Sequence, residues 1–227
     1  MDTATKRLDP NIITADEYNN IRRFTSELPF SVDIIDEVAH IFRRHSMQSH
    51  YGPVYIHRHY DMPDNCMAVQ FEIEDVQIMK MLPIADVPPE QRYGSSFKLM
   101  ENGKFQAYEY SSNQPASIPD EFLDDLARFI LKHQLADVFG ISSVSIATTS
   151  ATTEINLFGD KLSIALPSNE VPPEISVTPT VWNIGDDEKW RAMLYCGSSC
   201  GSCCGGGDAT EHKEAIALAL AKRGIVL

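Results

Sequence analysis

Ile34-Ile-Asp-Glu-Val-Ala-His-Ile-Phe-Arg-Arg-His45 and Phe122-Leu-Asp-Asp-Leu-Ala-Arg-Phe-Ile-Leu-Lys-His133 are one pattern written twice, 88 residues apart. Apolar, acidic and basic classes match at nearly every step. In the first copy Ile34, Val38, Ile41, Phe42 and His45 fall on one face at 100° per residue, and in the second Phe122, Leu126, Phe129, Ile130 and His133 do the same, so the spacing predicts two helices. The same offset pairs Tyr51-Gly52 with Phe139-Gly140. Asp86-Val-Pro-Pro-Glu90 pairs with Glu170-Val-Pro-Pro-Glu174 at offset 84, and Lys104-Phe-Gln-Ala-Tyr-Glu-Tyr110 with Lys189-Trp-Arg-Ala-Met-Leu-Tyr195 at offset 85. Four blocks in one order, separated by small loop indels, read as a tandem repeat.

Each copy continues from helix to strands. Ser31 and Ser117 stand before the helices, Ser117-Ile-Pro-Asp120 having the form of a capping box. The glycines of Tyr51-Gly52 and Phe139-Gly140 mark a break before strands at Val54–Tyr60 and Ser142–Thr148. Hairpins follow at Met67–Glu74 with Val76–Leu82, at Glu154–Leu166 around Gly159-Asp160, and at Ser96–Met100 with Lys104–Tyr110 around Asn102-Gly103. The Val-Pro-Pro-Glu segments read as extended connections, because paired prolines do not fit a ladder. The expected fold is α+β: a tandem, pseudo-twofold pair of helix-plus-antiparallel-sheet units, each in two layers. The expected organisation is a helical segment at 1–30, a first repeat at 31–116, a second at 117–208 and a closing helix within 209–227. The leading helix is expected near Thr14–Leu28 behind a Thr14-Ala-Asp-Glu17 capping box, and the closing one near Thr210–Arg223.

Composition narrows the partners. The chain has 227 residues, 43% hydrophobic and 22% charged, and a net charge of −13, the profile of a globular protein whose surface repels phosphate backbones and anionic lipid. Nucleic acid and membranes are therefore not expected partners, and a small-molecule ligand is compatible with this surface. Met1 to Glu17 lacks the apolar core of a signal peptide, and no run nears the roughly 18 apolar residues of a membrane span. Four of the five cysteines crowd one segment rather than forming dispersed pairs, which points to a reducing compartment, the cytoplasm.

Two clusters could carry chemistry. In an extended strand Tyr55, His57, His59 and Asp61 share a face, so two imidazoles at i and i+2 can grip one transition-metal ion, with Asp61 or Cys66 completing the set. The second copy has Ser145 and Ala147 there, so the scaffold does not require histidine. Arg58 points the other way and calls for Glu72 or Glu74, an anionic ligand, or water. His45 and His133 end matched helices, where an imidazole can meet the last carbonyls, and His40 reads as solvated. The partial likeness of Gly52-Pro-Val-Tyr-Ile-His-Arg-His59 to the cupin motif fails on spacing, on the missing glutamate and on the absent second motif.

The other cluster is Cys196-Gly-Ser-Ser-Cys200-Gly-Ser-Cys203-Cys204-Gly-Gly-Gly207. Thiolates on such a loop can wrap zinc, Cu(I) or an iron–sulfur cluster, and the alternative is a flexible linker with idle thiols. Its Cys-x3-Cys-x2-Cys spacing matches that of radical SAM enzymes, but its place near the C-terminus of a short α+β chain does not. A site shared by the thiols and the histidines requires the two copies to meet, which spacing alone leaves open.

Tyr51-Gly52…Ile56-His-Arg-His-Tyr60, with Gln91-Arg92, Asn102-Gly103 and Tyr108-Glu109, resembles a group of uncharacterised fungal proteins carrying a Gly…His-Arg-His-aromatic signature. The likeness covers the first half of the chain and implies an intracellular fungal protein without implying an activity. Phosphate-cradling loops, the Gly-x-Ser-x-Gly elbow and His-Glu-x-x-His are absent. Three function classes remain: a small-ligand or metal-binding protein, with a zinc or iron enzyme as one form of it, using His57 and His59 with Arg58 and Asp61; a thiol-based metal or redox protein using Cys196, Cys200, Cys203 and Cys204; and an interaction protein without catalysis.

Overall fold

The structure, a computed structural model, describes residues 7–197 apart from 26, 32, 74–75, 145–150, 158–161, 172–176 and 185–189. The expected closing helix and the turn at Gly159-Asp160 lie outside the described residues. The elements are β1 (Leu8–Asp9), α1 (Ala15–Asn19), α2 (Asp33–Arg44), β2 (Tyr51–Tyr55), β3 (Cys66–Ile73), β4 (Val76–Pro83), β5 (Tyr93–Leu99) and β6 (Phe105–Ser111). They continue with α3 (Asp120–Lys132), β7 (Phe139–Ser143), β8 (Thr152–Leu157), β9 (Leu162–Pro167), β10 (Val177–Ile184) and β11 (Trp190–Gly197).

The two-layer α+β expectation is overturned. Ten strands close on themselves in the order β6-β3-β4-β9-β8-β11-β10-β2-β7-β5 and back to β6, with β1 added in parallel beside the start of β6. The fold is mostly β-barrel with three short helices among the described residues. The physical reason lies in coverage and edges. Helices of 12 and 13 residues cannot roof two separate five-stranded sheets, whereas joining the sheets removes every open edge. The order is unchanged when β2–β6 are exchanged for β7–β11, and the joins are β2 with β7, β4 with β9, β10 with β2 and β5 with β7.

Both amphipathic helices form as predicted and pack side by side over β2 and β7. Phe42 meets Phe122 edge-on at 5.0 Å, and Phe129 lies 5.9 Å from Phe139. His45 and His133 do not serve their own helix ends. His45 Nε2 is 2.9 Å from Asp125 Oδ2, and His133 Nε2 is 3.1 Å from Glu37 Oε1, so each imidazole pairs with a carboxylate on the other helix. The Thr14–Glu17 capping box is present, but α1 ends at Asn19 because the chain beyond it bonds elsewhere. α3 starts behind Pro119 with no side-chain cap, so the expected box at Ser117 does not form. The described helices include none long and apolar enough to cross a membrane.

Candidate functional site

The site starts where β2 stops. The predicted strand Val54–Tyr60 leaves its ladder after Tyr55, because its partner β7 begins at Phe139. Beyond that point Ile56 N–H donates to Val138 O, Arg58 N–H to Arg22 O, and Phe24 N–H to Arg58 O. The chain stays extended, so His57 and His59 still project together and Arg58 projects away. Both histidines are buried, and the Phe24 ring lies over them at 5.2 and 6.3 Å. The stretch after Asn19, expected as helix, is thus the strip that covers the histidine pair.

Glu154 and Cys196 come from the opposite half. β8 and β11 run parallel, and their register sets Cys196 beside Glu154. In the other half the same ladder sets Gln70 beside Ser111, at the aligned offsets of 84 and 85, and neither of those side chains is a strong metal ligand. One ligand-capable pair therefore faces one histidine pair. One ligand atom from each of His57, His59, Glu154 and Cys196 lies within 4.8 Å of the others, and all four residues are buried. The two sequence clusters do meet, through Cys196 alone among the described residues.

Hydrogen bonds orient the rings. His57 Nδ1–H donates to Tyr55 O at 2.8 Å, which turns the Nε2 lone pair toward His59 Nε2, 3.2 Å away. The Asn156 side-chain amide meets His59 Nδ1 at 2.8 Å and the Ser163 hydroxyl at 2.6 Å, so it fixes the ring plane from behind. His59 Nε2 lies 3.4 Å from Glu154 Oε2. Ligand atoms placed tetrahedrally around zinc sit about 3.3 Å apart, so these separations already match the edges of such a shell. Cys196 Sγ is 3.8 Å from His59 Nδ1.

Burial and charge divide the protons unevenly. Burial, with help from the neighbouring His59, lowers the His57 pKa to about 3, leaving a neutral imidazole. Burial opposes charge on His59 too, but Glu154 and Cys196 outweigh it and raise its pKa well above the usual value. Glu154 is lowered to about 2, burial being overcome by His59. Burial raises the Cys196 thiol. At neutral pH the cluster is a buried His59–Glu154 ion pair beside a neutral imidazole and a thiol.

The other residues expected at the site stand elsewhere. Asp61 is exposed, bridging Arg58 and Arg23 at the surface. Arg58 also donates to Ile21 O, so Glu72 is not its partner in this arrangement, and Glu74 lies outside the described residues. Cys200, Cys203 and Cys204 lie outside the described residues as well. Glu154, Asn156 and Glu109 are not singled out by spacing along the chain. The signal available for Glu154 and Asn156 is the alternation Thr152, Glu154, Asn156 along β8, which reads as a solvent face in an open sheet and faces inward in a barrel.

Above the cluster the barrel holds a partly open cavity of about 320 Å³. His57 and Glu154 form part of its wall, with Ser96, Tyr108 and Glu109 among the other lining groups. Burial first, and the Glu154 charge second, push the Glu109 carboxyl up to about 7. A carboxyl raised in the folded state binds more protons there than in the unfolded chain, so its contribution favours folding below pH ~4.5 and fades as pH rises toward ~7. Glu109→Gln is expected to remove a pH-dependent loss of about 3 kcal/mol between pH ~4.5 and ~8, read from urea midpoints. Parallel pH profiles for wild type and variant would contradict this assignment.

Comparison with known proteins finds no match for this chain among protein-family profiles, curated proteins or solved structures.

Proposed function

We propose that this is a metal-binding barrel protein in which His57, His59 and Glu154 hold one divalent transition-metal ion, zinc or iron, at the inner wall of a small-molecule cavity. The observation that carries the reading is the convergence of four buried ligand groups within 4.8 Å, with one imidazole lone pair already aimed inward by a backbone carbonyl. A nitrogen and oxygen set with one thiol in reach suits zinc, and iron is the alternative. His57 and Glu154 line the cavity, so a ligand there would meet the ion directly, and the ion would supply Lewis acidity to it. Asn156 would set the His59 ring and Phe24 would keep bulk water from the back of the site. The interaction-protein reading calls for an exposed apolar patch, and among the described residues only Leu131 and Val177 are exposed large apolar side chains.

Elemental analysis tests this directly. One ion per chain is expected in the wild type and in a Cys200/Cys203/Cys204→Ser variant. The ion should be lost in His57→Ala/His59→Ala and bound at least about tenfold more weakly in Glu154→Gln. Metal-free wild type, or loss confined to the cysteine variant, would remove the proposal.

A further inference from the structure

We infer that the barrel cavity is built for a small organic cation, a protonated amine, whose charged end is seated on Glu109. The wall carries the carboxylates of Glu109 and Glu154 inside and Glu72 at the rim, and the described lining residues include no lysine or arginine. Glu154 is engaged by His59. Glu109 has the Ser96 hydroxyl as its hydrogen-bonding neighbour, and no lysine or arginine stands beside it among the described lining residues. In the metal-free chain, with His59 committed to Glu154, an anionic ligand would enter against the remaining carboxylates, whereas an ammonium group would gain a charge-assisted hydrogen bond.

Tyr108, Met79 and Val181 supply apolar wall for the rest of the molecule. At the ~30 Å³ that one water occupies in the liquid, the cavity holds roughly ten non-hydrogen atoms. The enclosed part of the cavity therefore suits a compact amine. This inference goes beyond the metal centre and stands on Glu109 and the cavity, so metal content and amine affinity can fail separately.

Calorimetric titration of the metal-free full chain near pH ~8 with benzylamine, benzyl alcohol and benzoate compares three probes of similar size and different charge. Benzylamine is expected to bind at least about tenfold more tightly than benzyl alcohol, with benzoate weaker than both. Glu109→Gln should bring benzylamine to the level of the alcohol while leaving the metal content before metal removal unchanged. In His57→Ala/His59→Ala the preference for the amine should persist. The inference is overturned if the alcohol or benzoate binds as well as the amine, if none of the three binds, or if Glu109→Gln leaves amine affinity within about twofold. The wild-type comparison decides the matter by itself if the Glu109 variant does not fold.

Discussion

Replacing Glu154 with Ala is expected to lower the unfolding free energy by about 3–5 kcal/mol at pH ~7, the cost of leaving one partner of a buried ion pair alone. The side chains of His59 and Glu154 are 2% and 11% exposed, so water cannot take over the solvation of either. The loss should be partly recovered in His59→Leu/Glu154→Leu, where no buried charge is left to satisfy. That contrast separates an ion-pair cost from a simple packing cost, because packing losses at both sites would add. Metal-free protein is the material to use, with urea unfolding as the measurement. A loss under about 1 kcal/mol for Glu154→Ala, or strict additivity in the double variant, would show that the pair is not held as an ion pair.

Gly52→Ala and Gly140→Ala should each cost about 3 kcal/mol or more, because the obstacle is backbone that cannot rotate aside. A Cβ on Gly52 would lie 1.8 Å from Trp182 O on β10, and one on Gly140 would lie 2.2 Å from Phe97 O on β5. These two positions are 88 residues apart and occupy matched joins of the barrel, β2 against β10 and β7 against β5. Gly103→Ala is the control: it sits in a hairpin turn at φ +77°, with its nearest contact the end of a flexible arginine, and should cost about 1 kcal/mol. Denaturation midpoints for the three variants measure the difference. Losses at Gly52 and Gly140 no greater than at Gly103 would mean that the strand joins are looser than described. By sequence these glycines read as breaks before a strand, whereas each lies inside one, where the neighbouring backbone closes in.

The elements are legible because their signals are local. α2 and α3 follow from apolar residues recurring along a 12- or 13-residue window, and the β3–β4, β5–β6 and β8–β9 hairpins follow from alternation around turns. Ser145 and Ala147 at the positions matching His57 and His59 mark that strand as unusual on sequence grounds alone. Asp61 illustrates the limit of the same logic. Alternation along a strand places it with the histidines, but the chain bends at Tyr60 and Asp61 ends in a surface salt bridge.

What the sequence by itself determined is the set of helices and hairpins, their appearance in two matched series, and the marking of His57, His59 and the Cys196, Cys200, Cys203 and Cys204 run as candidate ligands. Periodicity and side-chain chemistry act within a few residues of one another, so one chain suffices to read them. Only the tertiary structure decided that the strands close into a barrel, which depends on how edges far apart in sequence satisfy their backbone hydrogen bonds. Closure turns the polar face of β8 inward, sets Cys196 beside Glu154, and carries both across to the histidines of the other half. That register is a property of the closed sheet, and no spacing along the chain encodes it.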